Sequence, residues 1–202
     1  MVGGLNSIWD SPLFESVYSF RRAHPKVAIR LVTDHSDHIS KSIRNGTIDV
    51  GFVYIPLRSS TIEVTPLKEE TLQLVGSPAL VDRLGKISPE NLLHRPFIHY
   101  NWGPPFAEWF EQEIGGHGSA GFRVDHTGVA VRLLLRGGGI GFLLDSIAGE
   151  YIKEGRLKPV SLQTKQPIPK RMIYLVVANK NLKKTESFLN HMKTNIQQWP
   201  IQ

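Results

Sequence analysis

Apolar and polar positions along this chain come in blocks that switch between a helical and an extended period. A short apolar start over residues 2–5 is followed by Asn6, Ser7 and Asp10, residue types that open helices because their side chains satisfy free backbone N–H groups. Leu13, Phe14, Val17, Tyr18 and Phe20 repeat at a spacing that sets them on one helical stripe. The stripe stops at His24-Pro25, where proline lacks the N–H a helix needs. Residues 27–33 are β-branched and apolar between two polar segments, which predicts a strand. Ser36 or Asp37 caps a second helix over 39–44, closed by Asn45-Gly46. Residues 48–55 (IDVGFVYI) form a nearly unbroken apolar run, the pattern of a parallel strand buried on both faces. The first 55 residues thus read β-α-β-α-β, the alternation of an open α/β sheet.

The middle of the chain continues the alternation in shorter pieces. Residues 71–76 read as a strand, and Ser88-Pro89 opens a short helix in the favoured order of cap and then proline. Residues 96–100 (PFIHY) read as a strand, and Phe106, Trp109, Phe110 and Ile114 fall on one helical face. A brief strand over 122–124 leads to a helix capped by Thr127 and running to Arg136, where three glycines end it. Residues 140–144 form another buried strand. Asp145 caps a helix to Glu154, and Gly155 stops it. A last strand covers 171–178, after which Phe188, Leu189, Met192, Ile196 and Trp199 make a terminal amphipathic helix.

Composition narrows this picture. At 202 residues the chain suits one large domain or two small ones, with a core that needs no covalent staple. It has no cysteine, which excludes disulfides, thiolate nucleophiles and Cys-ligated zinc and fits a reducing compartment such as the cytoplasm. No apolar run reaches the ~18 residues of a membrane span, so no membrane partner is expected. Residues 1–11 lack the basic-then-apolar order of an export signal. The net charge of +6 invites a nucleic-acid reading. Yet residues 1–67 hold seven Lys/Arg against six Asp/Glu, residues 68–158 ten against eleven, and residues 159–202 seven against one. The excess belongs to the last 44 residues, where lysines gather without a recognition helix or stacking aromatics, so a solvated basic face is expected.

Several stretches imitate chemical motifs. Residues 116–121 spell G-x-G-x-x-G, but they follow a helix and precede a strand. That is the reverse of the order in which a helix N-terminus meets a pyrophosphate. The same stretch lacks the strand-to-helix turn of a nucleophile elbow. Gly137, Gly138, Gly139 and Gly141 also sit between a helix and a strand, which points to a helix stop and close backbone packing rather than a phosphate cradle. Asp34, His35, Asp37 and His38 set four potential metal ligands within five residues. A strand-to-helix turn with capping Asp and Ser and solvated His accounts for the same pattern. No nucleophile–base pair, metal set or cofactor motif is left, so neither an enzyme nor a bound cofactor or metal is expected.

Six short motifs follow one another along the chain. They are Phe20-x4-Pro25 before a strand, Asn45-Gly46-x2-Asp49-Val50-Gly51-Phe52, and Pro66-Leu67-x-Glu69-Glu70-x-Leu72-x-Leu74-Val75. Next come Leu92-x3-Pro96-Phe97-Ile98, Val131-x-Leu133-x4-Gly138-Gly139-Ile140-Gly141-x-Leu143 and Gly155-x-Leu157-x-Pro159-Val160. In this order they resemble the effector-binding domain of LysR-type transcriptional regulators. The resemblance implies two Rossmann-like α/β lobes joined by two crossover strands, similar to type-2 periplasmic binding proteins. Lobe I would take residues 1–67 and 159–202, and lobe II residues 68–158. It further implies a small effector held between the lobes, an anion being one candidate. A homodimer would form through the first helix and second strand, and a helix-turn-helix preceding this chain would bind promoter DNA. A solute-binding protein of an uptake system shares such lobes and is the alternative. One departure stands out: the family often has Leu-Pro after the glycine-rich segment, where this chain has Leu144-Asp145.

Carried over position by position, the resemblance implies effector contacts at Asn6, Ser7 and Trp9 after the first strand and at Tyr54 after the third. In lobe II it implies His99, Asn101 and Thr127. Amide and hydroxyl donors at a helix start suit an anionic group, and a histidine suits a carboxylate. The same residues also have local readings: Ser7 and Thr127 as helix caps, Trp9 and Tyr54 as core.

Overall fold

The structure, a computed structural model, describes residues 1–115 and 121–196. The chain begins β1 (Val2–Gly4), α1 (Asn6–Trp9), α2 (Leu13–Ala23), β2 (Leu31–Thr33), α3 (Ser36–Asn45), β3 (Val50–Val53) and β4 (Ile62–Glu70). It continues β5 (Leu72–Gly76), α4 (Pro78–Leu84), α5 (Pro89–Leu92), β6 (Ile98–Tyr100), α6 (Phe106–Ile114) and β7 (Phe122–Val124). The remainder is α7 (Thr127–Leu135), β8 (Ile140–Leu144), α8 (Asp145–Lys153), β9 (Lys158–Pro159), β10 (Arg171–Ala178) and α9 (Leu182–Ile196). These elements group into two compact units. Unit one holds Met1–Glu69 with the described residues from Met172 onward, and unit two holds Glu70–Arg171. Residues 116–120 of the G-x-G-x-x-G stretch, and Trp199, lie outside the described residues.

Unit one is built on a five-stranded sheet in the order β2-β1-β3-β10-β4, with β1 parallel to both β2 and β3 and β10 antiparallel to β3. All four β3 residues are buried because alternate side chains meet helices on opposite faces. Val53 joins Ile39 and Ile43 of α3, while Phe52 faces Phe188 of α9 at 6.3 Å between ring centroids. On that second face α2 turns Leu13, Val17 and Phe20 inward, and Phe20 meets Phe188 edge-on at 5.0 Å. The strand expected over 27–33 is shorter. The Val27 N–H donates to the His24 carbonyl at 2.9 Å, closing a turn after Pro25, and Val27 remains exposed.

Unit two pairs β8-β5-β9 antiparallel and β6-β7 parallel, and the Phe97–Ile140 bridge joins the two groups. Its core gathers around Phe142, which packs against Phe97, Phe106, Trp109 and Phe110 with centroids 5.1–6.3 Å apart. The glycine-rich segment is structural here, as its order in the sequence indicates. A Cβ on Gly139 or Gly141 would stand 2.8 Å from the carbonyl oxygens of Pro96 and Ile98, so only glycine lets β8 lie this close to β6. Helix α4, without a counterpart in the sequence reading, starts Ser77-Pro78 in the same cap-then-proline order as α5.

Two expected caps are corrected. Thr127 is the first helical residue of α7, and the capping position belongs to His126, whose Nδ1 accepts the Gly128 N–H at 3.1 Å. Asp145 is likewise inside α8, where its carboxylate accepts from the Thr71 hydroxyl and its N–H donates to the Thr71 carbonyl at 3.0 Å. That N–H bond suits a residue with a backbone hydrogen at this position, where proline would have none to donate. Burial pushes the Asp145 carboxyl above the usual carboxylate range, with a hydrogen bond from Gln73 opposing in part.

Candidate functional site

In unit one the parallel neighbours β1 and β3 end side by side, and the chain leaves them into α1 and Tyr54. The carboxyl edge of an open α/β sheet is where ligands gather. Ser7, in the single turn of α1, is 1% exposed and its Oγ lies 3.1 Å from the Tyr54 hydroxyl. Ser7 is therefore not a cap: Leu5 occupies that position, and the serine hydroxyl is turned toward β3. Tyr54 is held from behind by Ser36 Oγ, which accepts the backbone N–H of Tyr54 at 3.3 Å and of Ile55 at 3.4 Å. Ser36, read from the sequence with Asp37 as a candidate cap for α3, is instead its first residue, with His35 at the capping position. Its role here follows from the fold, which sets the start of α3 against the end of β3.

Trp9 is half-buried and stands edge-on to Phe52 at 6.3 Å. Its indole Nε1 is buried without a partner among the described residues, a donor that a ligand acceptor would satisfy. Gly4 makes room for it, since a Cβ there would come within 2.6 Å of the indole. Asn6 opens α1 and is half-buried, its carbonyl accepting the Asp10 N–H at 2.9 Å.

In unit two the same geometry recurs at the carboxyl ends of the parallel pair β6 and β7. His99 lies in β6 and meets Phe110 edge-on at 5.5 Å. Asn101, just beyond the strand, is exposed, and its Oδ1 accepts the Gly103 N–H at 2.9 Å. Both line a cavity of about 120 Å³ completed by Tyr100, Trp102, Phe106, Ala107, Phe110 and Glu111. The aromatic walls escaped sequence reasoning because Phe106 and Phe110 recur at the spacing of a core-facing stripe. They are indeed core residues, with only one flank bordering the cavity. Thr127 is fully buried, its hydroxyl has no partner among the described residues, and it is not part of this lining.

The acidic and histidine cluster before α3 bonds within itself. Asp34 accepts from the His35 N–H at 2.8 Å and lies 3.1 Å from His38 Nδ1, while Asp37 pairs with Lys41 at 3.3 Å. Among the described residues no group of three or more His, Asp or Glu side chains is arranged to hold a metal ion.

The profile of the LysR substrate-binding domain matches residues 2–197. The chain belongs to this family. Its mixed α/β architecture is that of LysR substrate-binding domains, with their type-2 periplasmic-binding-protein-like fold. The regulatory domain of CrgA, a LysR-type transcriptional regulator from Neisseria meningitidis, superposes with a TM-score of 0.78 at 18% identity. That match covers 96% of this chain and 97% of CrgA's regulatory domain. The regulatory domain of AphB from Vibrio vulnificus gives a TM-score of 0.74 at 17% identity, covering 96% of this chain and 97% of that one. In sequence, the chain is 30% identical over 100 residues to the uncharacterised HTH-type transcriptional regulator YwbI of Bacillus subtilis. The match takes in 48% of this LysR-family chain and spans about a third (33%) of YwbI. Among the described residues no helix is long and apolar enough to cross a membrane.

Proposed function

We propose that this chain is the effector-sensing part of a LysR-type transcriptional regulator. It would bind a small molecule and bias the state of a DNA-bound oligomer through a separate DNA-binding segment of the whole protein. The observation that carries this reading is the family match over residues 2–197. The same match favours regulation over solute uptake. Binding occurs without turnover, in the cytoplasm where promoter DNA is found, and without a cofactor.

The proposed effector contacts are Asn6, Ser7, Trp9 and Tyr54 in unit one and His99, Asn101 and Thr127 in unit two. The Ser7 and Tyr54 hydroxyls and the unpartnered Trp9 donor support an effector that brings acceptor atoms to unit one, as an anionic group does. A homodimer is proposed through α2 and the sheet-edge strand β2. It is supported by Phe14 and Tyr18, which stack 6.4 Å apart and stay 39% and 51% exposed, and by the exposed Leu31.

Thermal-shift screening of the chain against small organic acids, amino acids and inorganic anions tests the reading. At least one compound raises the melting temperature, and the rise is lost in Ser7→Ala or His99→Ala. Compounds whose effect survives both substitutions would remove the proposed contacts, and a screen in which nothing binds would remove the sensing role.

A further inference from the structure

The cavity beside His99 carries a chemical signature that the family assignment does not supply. Its walls are aromatic and fixed. Trp102 is 2% exposed, its Nε1 donates to the Phe142 carbonyl at 3.1 Å, and the Arg171 guanidinium lies 5.9 Å from its ring centroid. Tyr100 packs on Trp102 with centroids 4.5 Å apart. Phe106 and Phe110, one helical turn apart on α6, are 2% and 6% exposed and are held by Phe142. Walls so packed do not collapse into the space they border, and a void lined this way gains by taking in an apolar group. At about 120 Å³ and partly open, the cavity suits one six-membered ring, since a closed apolar cavity of about 150 Å³ admits benzene.

The rim has its own polarity. Among the described residues lining the cavity, Glu111 is the one carboxylate, and no lysine or arginine lines it. A carboxylate accepts hydrogen bonds and donates none, so it selects a ring that carries a donor and disfavours one that carries a negative charge.

We infer that unit two binds a single uncharged ring bearing a hydroxyl or amino donor, with the ring among Tyr100, Trp102, Phe106 and Phe110 and the donor on Glu111. This rests on the effector-sensing reading and gives the class of the group that the effector presents to unit two.

Phenol and anisole separate the parts of the proposal, because both are neutral single rings and only phenol has a donor. Calorimetric titration of the 202-residue chain is expected to show phenol binding about fivefold tighter than anisole, the factor that one partly exposed hydrogen bond contributes. Glu111→Ala reduces that preference, read as the ratio of the phenol and anisole affinities within the same variant. Ala107→Leu, a substitution at an exposed helical position, fills the cavity and abolishes binding of both while the melting temperature is kept. Phenol that does not bind, that binds no better than anisole, or that binds Ala107→Leu as well as the parent chain would overturn the inference. If a ring-free effector from the screen still depends on Ser7 and His99, the inference fails and the sensing role stands. If no compound binds at all, both fail.

Discussion

Ser7 and Tyr54 are separated by 47 positions in the sequence and by 3.1 Å in the fold. Each was nominated from its place after a strand, but their pairing depends on the parallel register of β1 and β3, which no local pattern encodes. Losing this buried hydrogen bond in Ser7→Ala should lower the unfolding free energy by about 1 kcal/mol, read from the urea midpoint. An unchanged midpoint would mean that the pair adds nothing to stability. Asp145 makes a similar case. Its type suggested a cap, whereas its carboxylate and N–H both engage Thr71. Asp145→Pro removes the N–H bond and should lower the thermal midpoint of this chain. A midpoint equal to that of Asp145→Ala would show that the N–H bond is dispensable.

At the scale of elements, legibility followed burial. The runs that became β3, β8 and β10 are covered on both faces, and apolar runs bounded by polar residues mark such strands. Strand β4 is not legible in the sequence, because most of its residues are half-exposed or exposed and Pro66 interrupts it, which an edge strand tolerates. The end of β6 and the helix α6 were both legible, but the cavity they form was not, since it depends on the separation of two elements. The close approach of β8 to β6 gives a sharp test. Gly141→Ala forces a methyl against the Ile98 carbonyl and should cost about 1–3 kcal/mol. A cost near zero would mean that the strands separate freely.

Helix α9 is tied to the start of β3 by Lys184, 2.9 Å from Asp49. Burial works to raise the Asp49 carboxyl, but the chain's amino terminus at 2.5 Å and Lys184 outweigh it and hold it below the usual range. Its folded pKa is thus depressed. The stabilisation is present above the unfolded value, about 3.9, and is lost as pH falls through the folded one. Asp49→Asn should therefore flatten the acid limb of the stability curve and lower the neutral plateau. An acid limb identical to the parent's would contradict this.

For the whole molecule, the charge that first suggested nucleic acid takes a different distribution once counted by unit. Unit one holds twelve Lys/Arg and eight Asp/Glu, a net +4, and unit two holds twelve and ten, a net +2. Neither sum is large, and gel shifts with this chain are expected to show at most weak, salt-sensitive binding without sequence preference. Tight sequence-specific binding would contradict the assignment of DNA recognition to another segment. Tyr18→Asp, on the exposed face of α2, should shift light-scattering mass from dimer toward monomer. A parent chain that is monomeric at high concentration would remove that interface.

The sensing role rests on binding of a small effector at the proposed contacts. It is tested most directly by titrating the best compound from the screen into the parent chain, Ser7→Ala, His99→Ala and the double variant in a calorimeter. Weaker binding is expected in at least one single variant, and loss in the double variant. Binding in the double variant as tight as in the parent chain would contradict it.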